Sequence, residues 1–232
     1  MISTTMDFTE LADKLFDVGA VKIEREGKFR FKRHVTEPNA PLSPIYFNFR
    51  TQSNPKPGPL TSRLVVDIAL ALYCLARDNS IVYDIVSGIP NAGEPFAEQF
   101  LHFLWNDSNA YFSSVFFEKE ETGVERRIAR LKPGTVLPEQ ERKLILLDDV
   151  LEGAETKFET IRVAEDNGLE VAGILTLVRY DYALSDASLR LEQARYAFHS
   201  VFAVSELVEY YFSTCRIDRE QYDAVIRFLS SR

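Results

Sequence analysis

Residues Leu144 to Thr156 read Leu-Ile-Leu-Leu-Asp-Asp-Val-Leu-Glu-Gly-Ala-Glu-Thr: an apolar strand, two adjacent acids at its carboxyl end, a short turn and the start of a helix. In open parallel sheets ligands bind outside the carboxyl ends of the strands, so Asp148 and Asp149 stand where a site is expected. A helix N-terminus after such a strand offers free N–H groups and the positive end of a dipole, which suits an anion such as phosphate. Two carboxylates in a row suit a ribose diol, a Mg²⁺ ion or a developing cation. The plainer alternative is that the aspartates only cap the next helix.

The flanking segments supply a frame for these residues. Phe8, Leu11, Ala12, Leu15 and Phe16 fall on one face of a helix that Gly19 closes. Val21 to Glu24 and Phe29 to Lys32 predict a hairpin around Glu26-Gly27, and Ile45 to Phe49 a strand after a proline-rich loop. Beyond Pro59 the pattern becomes α/β. Helices are expected at Leu60–Arg77, Ala92–Trp105 and Gly153–Asn167, and strands at Ile81–Ser87, Ala110–Phe117, Lys143–Leu147, Glu170–Val178 and Tyr196–Val201. Alternating strands and helices of this kind build a parallel sheet covered on both faces. A helical stretch at Ser205–Tyr211 and a last helix capped by Asp218 complete the chain. Residues 118–142 are charged and aperiodic, which predicts either a lid or a disordered loop. The expected organisation is a small α+β hood over 1–59 and an α/β core over 60–232.

The chain has 232 residues and a formal charge of −8, an acidic balance that argues against coating nucleic acid or an anionic membrane. The start carries acids among its apolar residues and does not read as a signal peptide, and no apolar run reaches the ~18 residues needed to span a bilayer. A soluble, cytoplasmic protein is expected. Cys74 and Cys215 share no metal or disulfide spacing, and His34, His102 and His199 are scattered, so no resident metal is indicated. The 17 Phe and 10 Tyr exceed what a small core needs, which makes an aromatic subunit interface plausible.

The segment Lys143 to Thr156 resembles the phosphoribosyl pyrophosphate (PRPP) signature of type I phosphoribosyltransferases, and its neighbours narrow the resemblance to orotate phosphoribosyltransferase. Leu15–Lys32 with Leu42–Arg50 is similar to that family's opening helix, lysine-ended hairpin and Ser-Pro-x-Tyr strand. Asp84–Ala97 resembles the pyrophosphate turn, Gly168–Asp181 the strand after the signature helix, and Val201–Tyr211 the closing segment.

The resemblance implies transfer of phosphoribose from PRPP, carried with Mg²⁺, to a pyrimidine-type base in a homodimer. It implies Asp148 and Asp149 as the ribose acids and Lys119 as the lid cation. It places Lys32, Tyr46, Phe47 and Arg179 around the base. Gly88, Pro90, Asn91 and Gly93 would form the pyrophosphate turn, and Glu152, Gly153, Ala154, Glu155 and Thr156 the phosphate loop.

The departures from the family share a sign. A small, hydroxyl-rich phosphate loop is replaced by Glu152-Gly153-Ala154-Glu155, and the basic lid by Phe116-Phe117-Glu118-Lys119-Glu120-Glu121-Thr122. Arg126, Arg127, Arg130 and Lys132 follow and would serve a shifted lid. Two like charges ~4 Å apart repel by about 4 kcal/mol at an effective dielectric near 20, so carboxylates facing a phosphate could abolish PRPP binding. Glu152 and Glu155 could instead stand in for the phosphate, with a Glu near N3 of the helix. Two readings therefore stand: a transferase of the orotate type with impaired activity, and an inactive relative that binds a ligand or serves as a dimeric interaction module.

Overall fold

In the computed structural model, which describes residues 8–35, 37–108, 112–122, 125–137, 139–140, 142–182 and 187–231, the first apolar stripe forms α1 (Phe8–Asp17), burying Leu11, Ala12 and Leu15. Gly19 ends it with a φ of 72°. The next strand, β1 (Val21–Ile23), does not form the expected hairpin with Phe29–Lys32. It pairs antiparallel with β2 (Ile45–Phe47), which sets Val21 opposite Phe47 and Ile23 opposite Ile45. Burial decides the choice, because this pairing puts four apolar side chains on one buried face. Phe29 bridges Ser43 instead, and residues 32–35 coil into a 3₁₀ turn.

Thr61 caps α2 (Ser62–Asp78) by accepting the Leu64 N–H at 3.3 Å. There follow β3 (Ile85–Gly88), α3 (Glu94–Ser108) and β4 (Ser113–Ser114). β3 is shorter than the apolar run at 81–87: at Asp84 the backbone N–H still donates to the Lys143 carbonyl at 2.9 Å, but the returning Lys143 N–H goes to the Asp84 carboxylate at 3.2 Å. Ala110, where another strand was expected to begin, lies outside the described residues.

The charged segment after Phe116 is not an open loop. β5 (Phe117–Thr122) and β6 (Glu125–Leu131) form an antiparallel hairpin, between whose strands Gly123 lies outside the described residues. An acidic strand faces a basic one: Glu118 pairs with Arg130 at 2.8 Å, and Arg130 also reaches Glu120 at 3.6 Å. A bulge between Glu118 and Lys119 shifts the register, which is why the sequence shows no clean alternation. Phe117 and Ile128 are buried, and the Ile128 N–H donates to Glu159 at 3.0 Å.

The chain then forms β7 (Lys143–Leu151), α4 (Glu155–Asp166), β8 (Glu170–Arg179), α5 (Ala187–Gln193), β9 (Phe198–Ala203), α6 (Val204–Ser213) and α7 (Arg219–Ser230). Asp218 caps α7 in a reciprocal box with Gln221. The short helix α5, preceded by residues outside the description, has no counterpart in the sequence expectations.

Five parallel strands make the central sheet in the order β4-β3-β7-β8-β9. The chain leaves β3 toward β4 and returns on the other side of β3 as β7. The order thus reverses between β3 and β7, where an open α/β sheet forms its crevice. Ile145, Leu147, Leu175 and Leu177 share a core with α1, β1, β2, α2 and α7 on one face. Leu144, Leu146 and Ile174 share another with α4 and the hairpin residues Phe117 and Ile128. Among the described residues no helix is long and apolar enough to cross a membrane.

Truncating Ile128 tests the hairpin's docking. Ile128→Ala removes a buried anchor and should lower stability by about 2–4 kcal/mol. Amide exchange should accelerate over 117–131 while the central strands keep their protection.

Candidate functional site

The carboxyl ends of β3 and β7 meet in register, Gly88 beside Leu147, so the 88–93 turn and the twin aspartates lie side by side. Backbone packing there leaves no room for side chains. A Cβ on Gly88 would strike the backbone of Gly93, and one on Gly93 would strike the Leu147 carbonyl. Pro90 is buried, Asn91 is exposed and the peptide between them is cis. At the start of α3, Glu94 accepts Lys132 from the end of the hairpin at 2.7 Å. A groove of about 690 Å³ opens beside this turn, lined by Asn91, Glu94 and Glu98 on one side and the 51–55 loop on the other. Neither twin aspartate lines it.

Asp148 and Asp149 occupy different environments. Asp148 is 5% exposed and lies opposite Thr176 in the sheet. Its carboxylate accepts the Asp149 N–H at 2.9 Å and forms an ion pair with Lys157 at 2.6 Å. Lys157 is equally buried and also donates to the Val150 carbonyl at 2.6 Å. Asp149 is half-buried and accepts the Val150 N–H at 2.7 Å. Burial first, and the neighbouring Asp148 carboxylate second, push the Asp149 carboxyl up to about 7, against the opposing pull of Lys157.

The turn into α4 is held by the chain's own side chains. Ala154 is buried at the N-cap and contributes no side-chain hydrogen bond. Glu155 therefore stands at N1 and Lys157 at N3, in place of the glutamate expected near N3. The Glu155 carboxylate folds back over Gly153, where a Cβ would collide with its Oε2, and its Oε1 accepts Arg190 of α5 at 2.8 Å. Glu152 accepts the Tyr182 hydroxyl at 3.4 Å, and Thr156 is half-buried in the first turn of α4.

The two aromatic residues expected beside a base point apart. Tyr46 and Phe47 are consecutive on β2 and point to opposite faces. Tyr46 stacks on Phe29 at 5.4 Å, whereas Phe47 is buried against Phe49 and Tyr180. Phe31, Tyr180, Tyr182 and Phe228 extend that cluster. Arg179 is half-buried at the end of β8 beside Leu151 and Ala203. Lys32 is placed by its backbone in the 3₁₀ turn. Lys119 sits on β5 opposite Ile128, in the docked hairpin rather than on a free loop.

Strand order, crevice and turn together match a known architecture. The chain aligns over 98% of its length with a Leishmania donovani UMP synthase, at 23% identity and a TM-score of 0.72, and spans 43% of that protein. It aligns over 98% of its length with orotate phosphoribosyltransferase from Francisella tularensis, covering 96% of that chain at 18% identity and a TM-score of 0.66. Against the Aeropyrum pernix orotate phosphoribosyltransferase the TM-score is 0.62 at 18% identity, over 86% of this chain and 97% of that one. The chain has the type I phosphoribosyltransferase fold of the orotate kind. No protein-family model matches its sequence. At such identities the likeness to these proteins is one of fold, and the chemistry has to be argued from this chain's side chains.

Lys157, Arg190 and Tyr182 were not among the residues singled out from the sequence. Lys157 had a readable signal, because it precedes Thr160, Ile161 and Ala164 on the buried stripe of α4. A lysine on such a stripe needs an internal partner. Arg190 and Tyr182 reach the turn only through tertiary structure.

Two measurements probe the pair. Lys157→Met leaves Asp148 buried and unpaired and should cost about 3–5 kcal/mol of stability, most of it recovered in a Lys157→Met/Asp148→Leu double variant. The raised Asp149 pKa means that the folded state binds the extra proton between pH ~4 and ~7, so this group's contribution falls as pH rises through that window. Asp149→Asn should accordingly be more stabilising at pH 8 than at pH 5, read from denaturant melts at the two pH values.

Proposed function

We propose that this protein is a phosphoribosyltransferase-like ligand-binding or interaction module in which PRPP-dependent transfer is lost or strongly weakened. The observation that carries this reading is the buried 2.6 Å pair between Asp148 and Lys157. A ribose acid must turn its oxygens toward substrate hydroxyls. Here one of the two is already neutralised by a cation from the next helix. Withdrawing Asp148 from Lys157 leaves a buried charge uncompensated, at about 3–5 kcal/mol. That cost alone weakens a ligand that needs the aspartate by roughly 10²- to 10⁴-fold.

The turn and the lid support the same reading. Glu155 places negative charge over Gly153, where the N-terminus of α4 would otherwise favour an anion. The hairpin that carries Lys119 is docked on α4 through Ile128 and Glu159. Burial of Phe47 and Tyr180 leaves few aromatic faces for a base.

A second reading, transfer of phosphoribose from PRPP to a pyrimidine-type base in a homodimer, is favoured by one feature. Asp149 is only half-buried at the switch point, beside an 88–93 turn built of close backbone contacts. Among the described residues no group of three or more His, Cys, Asp or Glu side chains assembles to hold a metal ion. In this second reading Mg²⁺ would be carried by the diphosphate, with Asp149 as the carboxylate beside it.

Calorimetry of the wild-type protein with Mg²⁺ and PRPP, followed by an orotate-consumption assay, separates the two. The expected result is binding weaker than about 1 mM and no turnover. Micromolar binding with release of pyrophosphate on adding orotate would overturn the module reading.

A further inference from the structure

We infer that the turn into α4 is autoinhibited: the Glu155 carboxylate acts as a built-in anion seated on the turn, and Arg190 is the residue that holds it there. The inference rests on the reading above, and it deepens that reading by naming what occupies the turn. Three contacts carry it. Glu155 Oε2 lies over the Cα of Gly153, close enough that any Cβ there would displace it. Glu155 Oε1 accepts Arg190 Nη1 at 2.8 Å. The Arg190 guanidinium is backed by the Phe158 ring, with 5.5 Å to its centroid.

Two of the acids at the turn are answered by cations. Asp148 pairs with Lys157 inside, and Glu155 with Arg190 outside. Both cations come from residues that the twin-aspartate motif does not supply. The N-terminus of α4 thus meets a carboxylate already attached to its own first residue. A tethered group competes at an effective concentration that a free anion in dilute solution does not reach. A phosphate dianion approaching the turn meets Glu155 as a like charge and finds the nearest guanidinium engaged. Once the carboxylate becomes neutral, Arg190 faces the turn with its charge uncompensated, and the same geometry favours an incoming anion.

Titrating inorganic phosphate into the wild-type protein, Glu155→Gln, Glu155→Gln/Arg190→Ala and Glu152→Gln tests this by calorimetry and by amide shifts over 152–158. Glu155 and Arg190 are exposed side chains, 64% and 50%, so the variants should fold, and a thermal melt of each verifies it. Glu155→Gln is expected to bind phosphate about tenfold or more tighter than wild type, with shifts at Gly153 and the first amides of α4. Adding Arg190→Ala should remove that gain, and Glu152→Gln should produce none. A Glu155→Gln protein no better than wild type overturns the inference. So does a gain that survives Arg190→Ala, or an equal gain from Glu152→Gln. Failure of the underlying reading shows elsewhere, as micromolar PRPP binding by the wild-type protein.

Discussion

A lysine and an aspartate, both sealed from water, sit where the sheet ends and the next helix begins. Removing two charges from solvent is expensive, and only close contact with further hydrogen bonds offsets it. Both conditions are met here: Lys157 reaches Asp148 and the Val150 carbonyl at 2.6 Å each, and Asp148 takes the Asp149 amide as well. The pair ties the first turn of α4 to the end of β7 and so fixes the path of residues 152–156. What the turn can bind follows from that path.

The environment of the twin aspartates separates position from function. The fold sets two acids at the switch point of a parallel sheet, where open α/β sheets form their ligand crevice. The side chains around them then decide their chemistry. One acid is committed to an internal cation, and the other is pressed toward its neutral form by burial and by its neighbour. Fold likeness at 18–23% identity does not reach this level of description.

Most of the architecture was legible from periodicity. The helices α1, α2, α3, α4 and α7 and the strands β7, β8 and β9 fall within a few residues of the apolar patterns that announced them. The errors have separate physical causes. The first hairpin was misassigned because Phe29–Lys32 alternates as well as Ile45–Phe47 does, and only burial against β1 distinguishes them. The β5–β6 hairpin was missed because a bulge breaks its alternation and charge pairing replaces apolar patterning. At the site, the acids in the turn were visible in the sequence. The cations that answer them were not, since Arg190 lies 35 residues from Glu155 along the chain.

The docked hairpin also bears on mechanics. Lys132 at its base grips Glu94 at the head of α3, and the Ile128 amide grips Glu159 on α4. Those two helices follow the strands on either side of the switch point, so the hairpin spans the gap like a cross-tie between two beams. Any separation of the two beams would load that tie in tension. The spacing of those two helices and the integrity of the two contacts that bridge them are therefore linked.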